Sequence, residues 1–148
     1  MDMIIIFCGV PASGKSTIAE QLRERLEDVE MIVSDDIGSS RYDNIMRLVD
    51  EKIGKYDYIL VDATFYKRKW REEIRMTVGS RDEVKLVYVH CSLETCIKRN
   101  KERENSIPEK AIHIIWNKFD EPESPDVSIN TEDTPPDKAA EIILEKIR

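Results

Sequence analysis

An unbroken apolar run that ends in a glycine is the feature that most constrains the fold of this chain. The run Met3–Cys8 has the length of a strand, and continuous hydrophobicity is typical of a strand buried on both faces of a parallel sheet. It leads directly into Gly9-Val10-Pro11-Ala12-Ser13-Gly14-Lys15-Ser16, after which helical spacing begins. This segment matches G-x-x-x-x-G-K-[ST] at every fixed position, so strand, loop and helix together predict a phosphate-binding site.

Each residue type in this loop has a property that suits phosphate binding. Glycines at both ends permit turn conformations that side chains forbid, and the loop N–H groups then converge on phosphate oxygens at a helix N-terminus. Lys15 supplies a cation for the β- and γ-phosphates, and Ser16 supplies a hydroxyl for Mg²⁺. The predicted nucleotide-binding residues of this segment are Gly9, Pro11, Ala12, Ser13, Gly14, Lys15, Ser16 and Thr17.

The rest of the chain alternates strand-like and helix-like segments. Further strands are predicted over 31–33, 58–61, 84–89 and 126–130, and helices over 16–26, 44–53, 67–78, 93–104, 108–119 and 136–147. This alternation predicts an α/β fold with a mainly parallel sheet. Right-handed crossovers would place the carboxyl ends of the strands, and therefore the ligand, at one edge.

Length and charge limit the classes of protein this chain can belong to. With 148 residues, 41% of them apolar, we expect one domain over 1–148. Lys and Arg number 23 against 30 Asp and Glu, a net charge of −7, which disfavours a general nucleic-acid surface while leaving a local basic patch possible. No apolar run reaches the ~20 residues of a membrane helix. Three cysteines without a C-x-x-C pair indicate neither a disulfide framework nor a zinc site, so a reducing cytoplasm is expected.

Two acidic positions follow predicted strands. Asp35 lies at the end of the second strand, where a carboxylate would face the γ-phosphate and accept a proton from an attacking hydroxyl. Asp62 ends the third strand, where an acid binds Mg²⁺ directly or through water. The alternatives are a helix cap near Ser34 and an ordinary loop acid. The candidate metal ligands are Ser16, Asp35 and Asp62.

Two basic groups are candidates for contacts with phosphate or acceptor. Arg99 and Arg103 are four apart on one helical face and would clamp the transferring phosphate as part of a lid. Lys67 and Arg71 begin a basic helix at the predicted ligand edge and would hold an anionic or polynucleotide acceptor. For both groups the alternative is a solvated charged face. Trp70 is interpreted as a core anchor rather than a stacking platform.

The cysteines and histidines of this chain are expected to pack in the structure rather than to bind a metal. Cys8 lies in the first strand, and Cys91 and Cys96 flank a turn, so all three are interpreted as packing residues. His90 and His113 have no partners at metal-ligand spacing.

Together these segments resemble a known group of kinases. The loop 9–16, Ser34-Asp35, the segment 61–66 and Arg99-Asn100-x-x-Arg103 followed by Ile107-Pro108 are similar to P-loop kinases related to L-seryl-tRNA(Sec) kinase. Polynucleotide 5′-kinases and adenylylsulfate kinases are more distantly similar. The resemblance extends over almost the whole chain and is strongest to the N-terminal domain of archaeal seryl-tRNA kinases.

The resemblance implies a five-stranded parallel sheet with helices on both faces, as in nucleotide kinases, and a helical lid at about 99–108. It implies ATP- and Mg²⁺-dependent phosphorylation of a hydroxyl, with Asp35 as base, Arg99 and Arg103 in the lid, and Thr131 near adenine. Two positions depart from the group's pattern: Gly38 replaces a common arginine, for which Arg41 would substitute as an acceptor contact, and Ala63 replaces a common acid.

The acceptor stays open at this point. Seryl-tRNA kinases carry a C-terminal helical domain for tRNA, whereas this sequence ends at Arg148, so we expect a small acceptor or an RNA delivered by a partner. The alternatives are a nucleotide-binding regulatory module with little transfer activity, and a nucleotide or nucleoside kinase.

Overall fold

All five strands of the sheet run parallel. A computed structural model describes residues 2–34 and 41–148, and the sheet order is β2-β3-β1-β4-β5. The strands are β1 (Met3–Cys8), β2 (Val29–Val33), β3 (Tyr58–Asp62), β4 (Glu83–His90) and β5 (Val127–Asn130). The helices are α1 (Lys15–Glu24), α2 (Arg41–Lys52), α3 (Arg68–Val78), α4 (Leu93–Glu102), α5 (Glu109–Lys118) and α6 (Pro136–Ile147). The predicted α/β fold and five-stranded parallel sheet are confirmed.

The central strand β1 explains why its sequence is apolar at every position. Ile5 and Phe7 face the core cluster formed with α1 and α6, while Ile4 and Ile6 face the cluster formed with α2 and α3. All six residues of β1 are buried. A strand with helices on both faces has no side that can carry polar residues, so continuous hydrophobicity follows from its place in the sheet.

Helices α4 and α5 form a third layer of contacts over the carboxyl end of the sheet. Val10 of the loop after β1 packs there against Cys91, Cys96 and Ile112.

Predicted and observed element ends differ by up to three residues, as at α2, which begins at Arg41 rather than at 44. Within the described ranges, a helix suited to crossing a membrane is absent.

The segment after β3 is fastened to the start of α2 by Tyr42. The ring of Tyr42 stacks on Trp70 with centroids 3.9 Å apart. Its hydroxyl lies 3.1 Å from Thr64 Oγ1 and accepts a hydrogen bond from Phe65 N at 3.0 Å. Phe65 has a φ of 46°, in the left-handed region, so this hydrogen bond helps to hold an unfavourable backbone conformation. The stack also agrees with the interpretation of Trp70 as a packing residue.

We expect Tyr42→Phe to lower the free energy of unfolding by about 1–2 kcal/mol, because the buried Phe65 N–H loses its acceptor while the ring stack remains. Chemical denaturation monitored by circular dichroism measures the change. Tyr66→Phe is the matched control, since the Tyr66 ring belongs to the same aromatic group and its hydroxyl makes no hydrogen bond to the residues described. Equal stability of the Tyr42 variant and wild type would contradict this role.

Candidate active site

The loop after β1 depends on glycine at its first position. Gly9 N donates to Thr64 O at 3.1 Å, and a Cβ at Gly9 would lie only 2.4 Å from the Val89 backbone oxygen. Further along the loop, Ala12 and Gly14 have φ values of 66° and 106°. The loop is therefore held against the ends of β3 and β4 and turns sharply into α1, whose first N–H groups are oriented for an anion.

A hydroxyl and a buried carboxylate meet beside this loop. Ser16 Oγ donates to Asp62 Oδ2 at 2.6 Å, and Asp62 is 5% exposed at the end of β3. Hydroxyl and carboxylate oxygens are hard donors, so the pair fits Mg²⁺. Across residues 2–34 and 41–148, no group of three or more His, Cys, Asp or Glu is placed to hold a metal. A Mg²⁺ ion here would therefore complete its shell with phosphate oxygens and water, as is typical of nucleotide sites.

Arg99 and Thr131 are both attached to the loop. Arg99 Nη1 donates to Ser13 O at 3.1 Å and to Thr131 Oγ1 at 2.7 Å, and Arg99 Nη2 donates to Thr131 O at 3.1 Å. Thr131 Oγ1 in turn donates to Ser13 O at 2.7 Å. The structure thus brings together three predicted nucleotide-site residues that are far apart in the sequence. The guanidinium of Arg99 is committed to protein oxygens in this arrangement.

Two other predicted cations have no acidic partner among residues 2–34 and 41–148. Lys15 opens α1, is half-buried, and forms no ion pair with a residue in the described ranges. Arg103 follows α4 in an extended conformation, is exposed, and makes no hydrogen bond or ion pair with the described part of the chain. Both side chains can therefore meet an anionic ligand without first breaking an ion pair described here.

The predicted acceptor residues are placed differently from one another. Lys67 precedes α3, and its ammonium lies 5.9 Å from the centroid of the Tyr66 ring. Arg71 is 4% exposed, and its Nη2 donates to Asp120 O at 2.6 Å. The guanidinium of Arg71 thus holds the segment after α5 against α3, which is an internal contact.

The structure describes the residues on either side of the loop between β2 and α2. Asp35 and Gly38 lie outside the described residues. Ser34, just before them, is buried, and its N–H donates to Asp62 O at 3.1 Å. Arg41, just after them, is the first residue of α2 and is partly exposed. The entry to this loop is therefore fixed beside the Ser16–Asp62 pair.

Two residues at the base of the predicted lid were given no role by sequence reasoning. Asn100 is 3% exposed, donates to Ile107 O at 2.7 Å and accepts from Ile107 N at 3.0 Å, which closes the chain between α4 and α5. Glu132 Oε1 accepts from Ser92 N at 2.7 Å and from Thr95 Oγ1 at 2.8 Å, and so covers the N-terminus of α4. Asn100 stood inside the Arg-Asn-x-x-Arg motif, whereas no local pattern points from Glu132 to Ser92, 40 residues away.

The sequence also matches the model of a known protein family. The family model described as chromatin associated protein KTI12 matches residues 3–147. The chain belongs to the KTI12 family. The match begins with β1 and ends with α6, so it includes the phosphate-binding loop, α4 and α5 of this KTI12-family chain.

Curated relatives of the KTI12-family chain are kinases. It is 25% identical over 151 residues to L-seryl-tRNA(Sec) kinase of Methanococcus maripaludis, covering 87% of this chain and 59% of that protein. It is 30% identical over 177 residues to adenylyl-sulfate kinase of Thermodesulfovibrio yellowstonii, covering 99% of this chain and 84% of that protein. The resemblance stated from the motifs is confirmed. The chain spans less than two thirds of the length of the Methanococcus protein.

Solved structures confirm the P-loop kinase fold. Chaetomium thermophilum Kti12 in complex with ADP-AlF3 aligns with a TM-score of 0.78 and 20% identity, covering 98% of this chain and 99% of that one. A sugar kinase from Janibacter sp. HTCC2649 aligns with a TM-score of 0.77 and 17% identity, covering 99% and 94%. At these identities the likeness shows the fold alone.

We expect Gly9→Ala to abolish detectable ADP binding and to destabilise the protein, because a Cβ 2.4 Å from a backbone oxygen forces β1 and β4 apart. Isothermal titration calorimetry and thermal unfolding measure the two effects. Gly54→Asn is the control, since Gly54 has open space around it and Asn tolerates its φ of 83°. Unchanged ADP binding in Gly9→Ala would show that the loop does not need this close approach.

The carboxylate of Glu132 gives the lid base a pH dependence. Hydrogen bonds from Ser92 and Thr95 lower the pKa of Glu132 from 4.5 to about 2. The stabilisation of the folded state by these hydrogen bonds is therefore complete above pH 4.5, the pKa of this carboxyl in the unfolded chain. It is lost as the pH falls through about 2, the pKa in the folded chain. We expect Glu132→Gln to lower the unfolding midpoint at neutral pH, and the difference from wild type to shrink below pH 4.5. Glu141→Gln, on the exposed side of α6, should show no such difference.

Proposed function

We propose that the chain is an ATP- and Mg²⁺-dependent kinase that transfers the γ-phosphate to a hydroxyl of a small-molecule or RNA-linked acceptor. The observation that carries this proposal is the 2.6 Å contact between Ser16 and the buried Asp62, next to Lys15 at the start of α1. This arrangement supplies oxygen donors for a metal, from α1 and β3, beside a cation for phosphates in the first turn of α1. The kinases among the curated relatives support the same reaction class.

Each residue of the proposed site has a separate role in phosphoryl transfer. The loop N–H groups and Lys15 bind the phosphates, and Ser16 and Asp62 hold Mg²⁺, which when bound neutralises charge on the phosphate oxygens. Asp35 accepts the proton of the acceptor hydroxyl as its oxygen attacks the γ-phosphorus in line. The bond between that phosphorus and the bridging oxygen breaks, and ADP leaves. Asp35 is assigned from its position in the sequence after β2.

The lid is proposed to comprise about 99–108 within a single kinase domain over 1–148. The hydrogen bonds from Asn100 to Ile107 support a lid closed at its base. Arg103 is exposed on this lid and would stabilise the charge of the transferring phosphate. Lys67 and Arg41 are the proposed acceptor contacts, while the burial of Arg71 favours a structural role.

A second candidate function is a nucleotide-binding regulatory module with little transfer activity. Membership of the KTI12 family and the fold shared with Kti12 in complex with ADP-AlF3 favour it. Ala63, where related kinases often carry an acid, leaves Asp62 as the single carboxylate of that segment. In this alternative, nucleotide binding persists and no acceptor is phosphorylated.

The deciding experiment is transfer of labelled γ-phosphate from ATP to a panel of acceptors: tRNA, seryl-tRNA, 5′-hydroxyl oligonucleotides, nucleosides, adenylylsulfate and serine. We expect Asp35→Asn to reduce transfer by roughly 100-fold or more while ADP affinity stays within about threefold of wild type, because a general base acts only in the chemical step. Lys15→Ala should abolish both binding and transfer.

Lys138→Ala, an exposed position on α6, is the control for loss of a lysine and should behave as wild type. Binding of ADP without transfer to any acceptor would favour the regulatory module. Wild-type transfer by Lys15→Ala would overturn the phosphate-loop assignment itself.

A further inference from the structure

Two thiols lie in contact beside the phosphate-binding loop. Cys91 Sγ and Cys96 Sγ are 2.9 Å apart, and both residues are free and buried. Cys91 directly follows β4, and Cys96 is in the second turn of α4. Sequence reasoning interpreted both as packing residues, and the proposed phosphoryl transfer uses neither.

The cap of α4 explains why these two thiols meet. Ser92 is the N-cap residue, and its side chain accepts a hydrogen bond from Thr95 N. Cys91 and Cys96 therefore occupy the positions on either side of the cap that are often joined by an apolar contact, the hydrophobic staple. Ser92 O also accepts from Cys96 N at 3.1 Å. The secondary structure thus fixes the separation of the two sulfurs independently of any covalent bond.

The surroundings make the two thiols unequal. A hydrogen bond from Cys96 lowers the pKa of Cys91, and the Arg99 guanidinium adds to this, whereas the hydrogen bond to Cys91 and burial raise the pKa of Cys96. Cys91 is 6% exposed, while Cys96 and Cys8 are fully buried. Cys91 therefore has the lower pKa and the slightly greater exposure of these two buried thiols, so it is the more reactive of the pair.

We propose that Cys91 and Cys96 are a redox modification site at which a peroxide forms an intramolecular disulfide. The Cys91 thiolate attacks one peroxide oxygen, the O–O bond breaks, and sulfenic acid and hydroxide form. The Cys96 sulfur then attacks the Cys91 sulfur, the S–O bond breaks, and the Cys96 proton leaves with the hydroxide as water. In total, two thiols and one hydrogen peroxide give one disulfide and two waters.

The disulfide would act on the nucleotide site through its neighbours. Bond formation shortens the Sγ–Sγ distance from 2.9 Å to about 2.05 Å and joins the start of α4 covalently to the end of β4. Cys91 and Cys96 pack against Val10 of the loop, and Arg99, one turn after Cys96, donates to Ser13 O. We therefore expect oxidation to weaken ADP binding by roughly threefold or more, and bound ADP to slow oxidation, since such coupling is reciprocal.

The test is made on the full chain with one equivalent of hydrogen peroxide, followed by alkylation of the remaining thiols in denaturant and peptide mass mapping. The expected product is a Cys91–Cys96 crosslink with Cys8 alkylated, because burial raises the pKa of Cys8 to about 11 and Cys8 packs in a different core cluster from the pair. Dithiothreitol should restore three free thiols and the original ADP affinity. Alkylation of all three cysteines after peroxide treatment would overturn the proposal.

Variants separate the roles of the two thiols. Cys96→Ser should accumulate sulfenic acid at Cys91, trapped as a dimedone adduct, whereas Cys91→Ser should give neither an adduct nor a disulfide. Cys8→Ser is the matched control and should form the crosslink as wild type does. Crosslinks between chains, or adducts on Cys8, would contradict a built site. Equal ADP affinity of the oxidised and reduced wild-type protein would contradict the coupling to the loop.

Discussion

The close approach of the β4 backbone to Gly9 is the constraint on which the rest of the site depends. A Cβ there would be 2.4 Å from Val89 O, so the strand order with β1 between β3 and β4 is compatible only with glycine at the point where the loop begins. On the other side, Gly9 N is bonded to Thr64 O. The loop thus starts from a position fixed by both neighbouring strands. Its left-handed turns at Ala12 and Gly14 then direct α1 so that Ser16 reaches Asp62.

Contacts far apart in the sequence complete the site around this fixed point. Ser13 O accepts hydrogen bonds from Arg99 on α4 and from Thr131 after β5, at sequence separations of 86 and 118 residues. Both donors reach the same oxygen because parallel strands end at the same edge of the sheet. A single carbonyl of the loop therefore connects α4 with the end of the sheet.

The helices and strands could be predicted from local sequence because each has its own hydrophobic period and its own terminal residues. The strand β1, the loop and helix α6 were predictable from residues adjacent to one another, and the meeting of Ser16 with Asp62 followed from parallel topology. Arg71 shows where this reasoning stops. Its basic neighbours suggested a ligand-facing position, but it lies three residues before Ile74 on the buried side of α3, so its charge is held by the Asp120 carbonyl. The covering of α4 by Glu132 required a three-dimensional contact that no spacing encodes, whereas Asn100 lay inside the Arg-Asn-x-x-Arg motif without an assigned role.

Arg99 and Arg103, the two arginines of the proposed lid, are chemically identical, and the structure gives them different surroundings. Arg99 uses both terminal nitrogens on Ser13 and Thr131, so any move toward a phosphate would break hydrogen bonds that hold the loop. Arg103 lies beyond the last turn of α4, exposed and with no partner among residues 2–34 and 41–148. An arginine without such partners can approach a phosphate without the loss of hydrogen bonds that hold the loop. In the proposed kinase, the charge that meets the transferring phosphate is therefore better supplied by Arg103, while Arg99 holds the loop through Ser13 and lies one turn from the thiol pair.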